Sequence, residues 1–136
     1  MITAVDANVL LDVFAADARH GASSRAALEG CQRRGRLIIC EIVLAELSRY
    51  FRDPDLLEAT LGRLQIGVEP LGAEACFSAG QAFLRYRKRG GKRDRILPDF
   101  LIGAHALARA GRLLTRDRGF YRTSFADLEI LDPSHP

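Results

Sequence analysis

The chain opens Ile2-Thr3-Ala4-Val5-Asp6-Ala7-Asn8-Val9-Leu10-Leu11 after its first methionine, and this stretch decides the fold. A short apolar run suits a buried strand, an acid follows at once, and Asn8 begins a pattern fit for a short helix. An acid at the carboxyl end of a first strand stands on the edge where open α/β sheets bind ligands.

Outward from this opening, further strand-like runs occupy residues 37–40, 66–69, 113–115 and 128–131. Helices are predicted over 8–14, 22–34, 41–51, 55–64, 73–89 and 98–110, with Gly21, Gly35, Gly90 with Gly91, and Gly111 as their breakers and caps. Strands alternating with helices predict an α/β fold with a mainly parallel central sheet of about five strands flanked by helices. With 136 residues, 48% of them hydrophobic, the chain has material for one core and too little for two domains. We read residues 1–132 as a single domain and 133–136 as a frayed tail.

No charged leader precedes an apolar run, and nothing approaches the ~20 apolar residues of a membrane span. A soluble cytoplasmic protein without a membrane partner is expected. Cys31, Cys40 and Cys76 are odd in number, far apart and without C-x-x-C spacing or a nearby histidine, which argues against disulfides and zinc. The net charge of +3 favours an acidic partner such as nucleic acid without identifying one.

Asp117 repeats the placement of Asp6, following Leu113-Leu114-Thr115, and Thr115 shares its face if the strand continues that far. Glu46 lies three and four residues after Val43 and Ile42, whereas Glu41, Ser48 and Arg52 mark a polar stripe, so Glu46 points inward. Asp99 opens a helix that is apolar except for His105 and Arg109, and Asp99, Ile102, Gly103 and Ala106 form a face small enough to approach a strand closely. Each acid alone has a plainer role: a helix dipole residue after Pro98 for Asp99, an N-cap for Asp6, and ion pairs for Asp117 and Glu46. Jointly they fall on one edge of one sheet. Inward carboxylates that converge require cations, and hard oxygen ligands suit Mg²⁺ or Mn²⁺, ions that activate water and polarise phosphate oxygens. Phosphodiester hydrolysis is the reaction that fits.

In this order and at this chain length the residues resemble the PIN-domain family, in particular the VapC-type toxins of bacterial toxin–antitoxin pairs. Val5-Asp6-Ala7-Asn8-Val9-Leu10-Leu11 is similar to the family's opening D-x-N motif, and Ile42-Val43-Leu44-Ala45-Glu46-Leu47 to its second acidic motif. Pro98-Asp99-Phe100-Leu101-Ile102-Gly103-Ala104-His105-Ala106 resembles the third, and Leu114-Thr115-Arg116-Asp117-Arg118-Gly119-Phe120 the fourth. The resemblance implies that Asp6, Glu46, Asp99 and Asp117 are the catalytic metal-site acids, directly or through water, with Asn8 and Thr115 supporting them. It further implies an endoribonuclease dependent on Mg²⁺ or Mn²⁺, a homodimer, and a cognate antitoxin that blocks the site. The reaction implied is in-line attack on phosphorus by a metal-activated water. Cys40 departs from the family by standing where a serine or threonine usually caps the helix of Glu46.

The basic run from Arg85 to Arg95 leads into Pro98-Asp99, so a flexible cationic loop is expected to overhang the acids. Arg87, Lys88, Arg89, Lys92 and Arg93 are candidate RNA contacts, as are Arg116 and Arg118, with structural ion pairs as the alternative for the last two. His105 is assigned to packing or an interface, Asp12 to the solvated outer part of the first helix, and Asp94 to an ion pair. Tyr86, Phe120 and Tyr121 are read as packing residues in preference to base-stacking ones. Two other classes compete. A receiver or D-x-D phosphatase is disfavoured because position 8 is asparagine and the last lysine is Lys92. A PIN-fold module that binds RNA or protein without cutting it remains the alternative.

Overall fold

The computed structural model describes residues 1–135; Pro136, the end of the expected tail, lies outside the described residues. Among the described residues five strands form one wholly parallel sheet: β1 (Ile2–Val5), β2 (Arg36–Ile39), β3 (Ile66–Val68), β4 (Arg112–Leu114) and β5 (Glu129–Leu131). Seven helices accompany them: α1 (Ala7–Phe14), α2 (Gly21–Arg34), α3 (Glu41–Ser48), α4 (Pro54–Arg63), α5 (Gly72–Lys88), α6 (Leu97–Arg109) and α7 (Arg118–Ser124). The α/β architecture expected from the alternation is the one observed, since parallel neighbours need crossovers long enough to hold helices.

The strand order is β3-β2-β1-β4-β5. The chain steps outward from β1 to β3, then returns to lay β4 on the other side of β1. The winding direction therefore reverses between β1 and β4, which opens a crevice at their carboxyl ends. Ala4 pairs with Leu113 and Val5 with Leu114. The ladder continues past both strands, because Asp6 N–H donates to the Leu114 carbonyl at 2.9 Å and Thr115 N–H to that of Leu131 at 2.9 Å.

Thr3, Ala4 and Val5 of β1 are buried, as are Leu37, Ile38 and Ile39 of β2. Val9, Leu10, Leu47, Phe100 and Ala106 cover the sheet from α1, α3 and α6 without measurable exposure. Each such large side chain contributes about 1.5–3 kcal/mol when fully removed from water. Under α6, Phe100 is the hub of an aromatic cluster, with ring centroids 5.1 Å from Phe120, 5.2 Å from Phe83 and 5.4 Å from Tyr86.

The structure departs from the sequence expectations at several places. Helix α3 ends at Ser48, three residues short of the expected position 51, and the chain turns through Phe51 to Asp53, whose carboxylate caps α4 by accepting from Leu56 N–H at 2.9 Å. Helix α7 was not anticipated. Gly119, Thr123 and Ser124 make it a poor helix former, and what holds it is the insertion of Phe120 and Tyr121 into the aromatic cluster. Gly21 starts α2 instead of breaking a helix. At Gly103 an added Cβ would meet the Phe125 ring at 2.3 Å, so the small residue lets that ring pack against α6. Gly111 ends α6 in the left-handed region (φ +77°), with its N–H on the Ala106 carbonyl at 2.8 Å. The start of the expected tail is a turn in which Asp132 accepts from the backbone of Ser134 and His135. All three cysteines are free. No helix among the described residues is long and apolar enough to cross a membrane.

Candidate active site

Each of the four acids arrives at the β1–β4 edge for a local reason. Asp6 leaves β1 in extended conformation and caps α1, its Oδ1 accepting from Ala7 N–H at 2.7 Å. Its Oδ2 accepts from the Thr115 hydroxyl at 2.8 Å and is 3.4 Å from the Asn8 amide nitrogen. Thr115, fully buried beyond β4, in turn accepts from Asp117 N–H at 3.0 Å. Asn8 Oδ1 accepts from Arg116 N–H at 3.2 Å. Asn8 and Thr115 thus tie the two strand ends together around Asp6.

Asp99 lies in the first turn of α6 and reaches back with Oδ2 to Ile96 N–H at 3.1 Å. It fills the helix-start role that it was given when considered alone, and Oδ1 is left over for other work. Glu46 is half-buried on α3, and its Oε1 is sealed from solvent with no hydrogen-bond partner. The helix begins at Cys40, whose side chain makes no capping bond; burial pushes its thiol pKa up. Asp117 precedes α7 and is held by the Arg95 guanidinium, which donates through Nη1 to Oδ2 and through Nη2 to Oδ1, the latter at 3.0 Å.

The acids lie in one another's field. Burial raises the Asp6 pKa above the ordinary value, and Asp117 adds to the rise against the opposing bonds from Thr115 and Ala7. Burial likewise raises that of Glu46, with repulsion from Asp6 and then Asp99 in support. The Tyr121 phenol, buried beneath them, is driven upward by burial and by the charges of Asp6, Asp99 and Asp117. As the side chains stand, no three His, Cys, Asp or Glu residues among the described residues form a ready metal cage. The donor set nevertheless fits a hard cation: carboxylate oxygens throughout, one buried oxygen without a donor, and two acids whose pKa values burial raises.

Several expectations need correcting or sharpening. Asp12 is not on a solvated face: it is 5% exposed, takes Arg116 through Nε at 2.6 Å and Nη2 at 3.0 Å, and accepts from the Ser24 hydroxyl at 2.7 Å. That engagement gives Arg116 the structural alternative, and Arg118 lies 3.8 Å from Asp132. Arg87 and Lys88 end α5, and Arg89 lies over the Tyr86 ring. The loop bearing Lys92 and Arg93 is organised on Tyr86, whose hydroxyl donates to the Lys92 carbonyl at 2.7 Å and whose carbonyl accepts from Gly91 N–H at 2.8 Å. A Cβ at Gly91 would strike the Tyr86 ring at 2.5 Å, which explains a glycine there. Asp94 has no ion pair among the described residues, contrary to expectation. His105 is buried, with Nε2 at 2.9 Å from the Glu69 carbonyl, a packing role as expected. Sequence reasoning did not single out Arg95 from its basic run or place Tyr121 under the acids. A concavity of about 840 Å³ between α3 and α4 is lined by Leu44, Phe51, Leu57 and Leu61 and contains none of the four acids.

Solved structures with this architecture include VapBC2 of Rickettsia felis bound to a promoter DNA fragment, with 22% identity, 97% of this chain and 98% of that one covered, and a TM-score of 0.74. VapBC-1 of nontypeable Haemophilus influenzae is similar at 19% identity, 98% and 99% coverage and a TM-score of 0.72. FitAcB of Neisseria gonorrhoeae matches at 19% identity over the whole of both chains, with a TM-score of 0.70. At such identities the likeness is one of fold. No curated protein matches the chain. The family model described as the PIN domain matches residues 3–126, a span that takes in most of β1, the switch-point crevice and all four acids, and the chain belongs to the PIN-domain family.

Proposed function

We propose that this protein is a metal-dependent endoribonuclease that hydrolyses RNA phosphodiester bonds in the cytoplasm as the toxin of a toxin–antitoxin pair. Asp6, Glu46, Asp99 and Asp117 are its catalytic acids and would hold Mg²⁺ or Mn²⁺. The observation that carries this reading is the partnerless buried oxygen of Glu46 in the field of Asp6 and Asp99, at the switch-point edge of the sheet. Burying carboxylates together without a counterion is costly; a site that pays this cost is built to receive positive charge.

A divalent ion bound there supplies an acidified water and polarises a phosphate oxygen. The protein's own groups do the positioning. Thr115 and Asn8 fix Oδ2 of Asp6 toward the crevice, the Ile96 amide orients Asp99, and Tyr121 closes the floor against bulk water. Arg87, Lys88, Arg89, Lys92 and Arg93 form the cationic segment assigned to the RNA backbone. With its guanidinium committed to Asp12, Arg116 is assigned to the fold. The toxin role draws support from neighbours solved as VapBC complexes and from a Klebsiella pneumoniae toxin–antitoxin complex. A cognate antitoxin and a homodimer complete the reading.

The test is cleavage of a mixed RNA panel by purified protein with Mg²⁺, Mn²⁺ or EDTA, beside folded Asp6→Asn and Asp99→Asn variants. Metal-dependent cutting should be lost in both variants, by at least about a hundredfold for removal of a charge-stabilising group. Metal binding without cutting of any RNA would favour a PIN-fold binding module; no metal binding would remove the proposal.

A further inference from the structure

We propose that Arg95 is a built-in counterion of the acidic site, holding Asp117 in the metal-free protein and competing with a divalent cation for that carboxylate. The inference rests on the metal-site reading above and adds a residue of this chain that controls entry to it. Of the four acids, Asp117 is the one with a side-chain ion pair among the described residues. Arg95 spans both of its oxygens, the bidentate arrangement in which a guanidinium binds a carboxylate best.

The pair is held from both sides. The Arg95 guanidinium carbon sits 4.5 Å from the Phe120 ring centroid, and Phe120 is fixed edge-on against Phe100 and Tyr121. The backbone that presents Arg95 is anchored on Tyr86 by the Lys92 carbonyl and the Gly91 amide. Yet the contact is only partly sheltered, with side-chain exposures of 28% for Arg95 and 32% for Asp117. It is strong enough to form and open enough to exchange. A divalent ion on Asp117 would sit within a few ångströms of the guanidinium, and repulsion between the two cations opposes joint occupancy. Binding of the ion therefore turns Arg95 off Asp117.

Mn²⁺ titration of the full chain by calorimetry, with wild type, Arg95→Gln, Arg95→Lys and Arg93→Gln compared, tests this. Arg95→Gln should bind Mn²⁺ about five- to tenfold more tightly than wild type, the range for loss of a partly exposed bidentate pair. Arg95→Lys, which keeps the charge and loses the fork, should fall between them. Arg93→Gln, on the same loop without the contact, should stay within about twofold of wild type, as expected for a screened surface charge. Equal or weaker binding by Arg95→Gln, or an equal gain in Arg93→Gln, overturns the proposal while leaving the metal site standing. Failure of both wild type and Arg95→Gln to bind Mn²⁺ instead overturns the metal-site reading and this proposal with it.

Discussion

With Oε1 of Glu46 buried away from any donor and Asp6 and Asp99 repelling it, ionising this side chain works against folding as long as no cation is bound. Its folded pKa lies above the unfolded value of 4.5, so its contribution to stability is present below that pH and is lost as pH rises through the folded pKa. Glutamine in its place carries no charge, and its amide can donate to the neighbouring acids. At neutral pH in EDTA, Glu46→Gln should melt about 2–5 °C above wild type, the shift expected for a gain near 1 kcal/mol in a domain of this size. The same variant should gain less than wild type when Mn²⁺ is added. Thermal melts of both proteins with and without metal check the pair of expectations; a lower melting point for the variant in EDTA would mean that Glu46 has a stabilising partner in solution.

Between elements, the Asp12–Arg116 pair joins α1 to the segment after β4, and Ser24 brings in α2. Asp12 is sealed while Arg116 keeps access to water, so the two truncations differ. Arg116→Met strands a buried carboxylate and should cost about 2–4 kcal/mol in urea unfolding, whereas Asp12→Asn releases an arginine that water can solvate and should cost less. His105 makes a second link, from α6 to the carbonyl of Glu69 after β3. Burial lowers its pKa below the ordinary 6.5, with the Glu69 bond opposing. Its contribution is therefore full above the unfolded pKa and lost as pH falls through the folded value. Stability measured from pH 7.5 down to 5.5 should fall more steeply for wild type than for His105→Gln, which keeps a donor and cannot titrate; parallel profiles would exclude His105 as the source. Neither link was fully legible in the sequence. The inward acids could be read because each follows a strand or sits on an apolar face. Asp12 could not, because a polar residue on a short helix looks solvated until its partner, more than a hundred positions away, is known. Helix α7 was hidden for a similar reason: its stability comes from Phe120 and Tyr121 in a cluster that the chain assembles only on folding. Arg95 stood among many cations, and only the path of the loop around Tyr86 selects it.

For the whole molecule, charge is distributed more tellingly than its net value of +3 suggests. The acids gather at the carboxyl edge of β1 and β4, while Arg87, Lys88, Arg89, Lys92 and Arg93 cluster where α5 runs into the loop before α6. Under the nuclease reading these two regions divide the labour, one acting on the scissile phosphate and the other holding the flanking backbone. Backbone contacts release condensed counterions, so RNA affinity should fall with salt by a slope of about 0.7 per neutralised phosphate for a single strand. The Asp6→Asn variant in EDTA allows binding to be followed by fluorescence anisotropy without cutting. Adding Lys92→Gln and Arg93→Gln to it should reduce the slope by about 1–1.5, spread evenly over RNA sequences because these contacts carry no base information. Adding Arg116→Met should lower stability and leave the slope unchanged, since that guanidinium is already paired with Asp12. A slope that responds to Arg116 and ignores the loop would place the RNA track along β4 and α7 instead of along the end of α5.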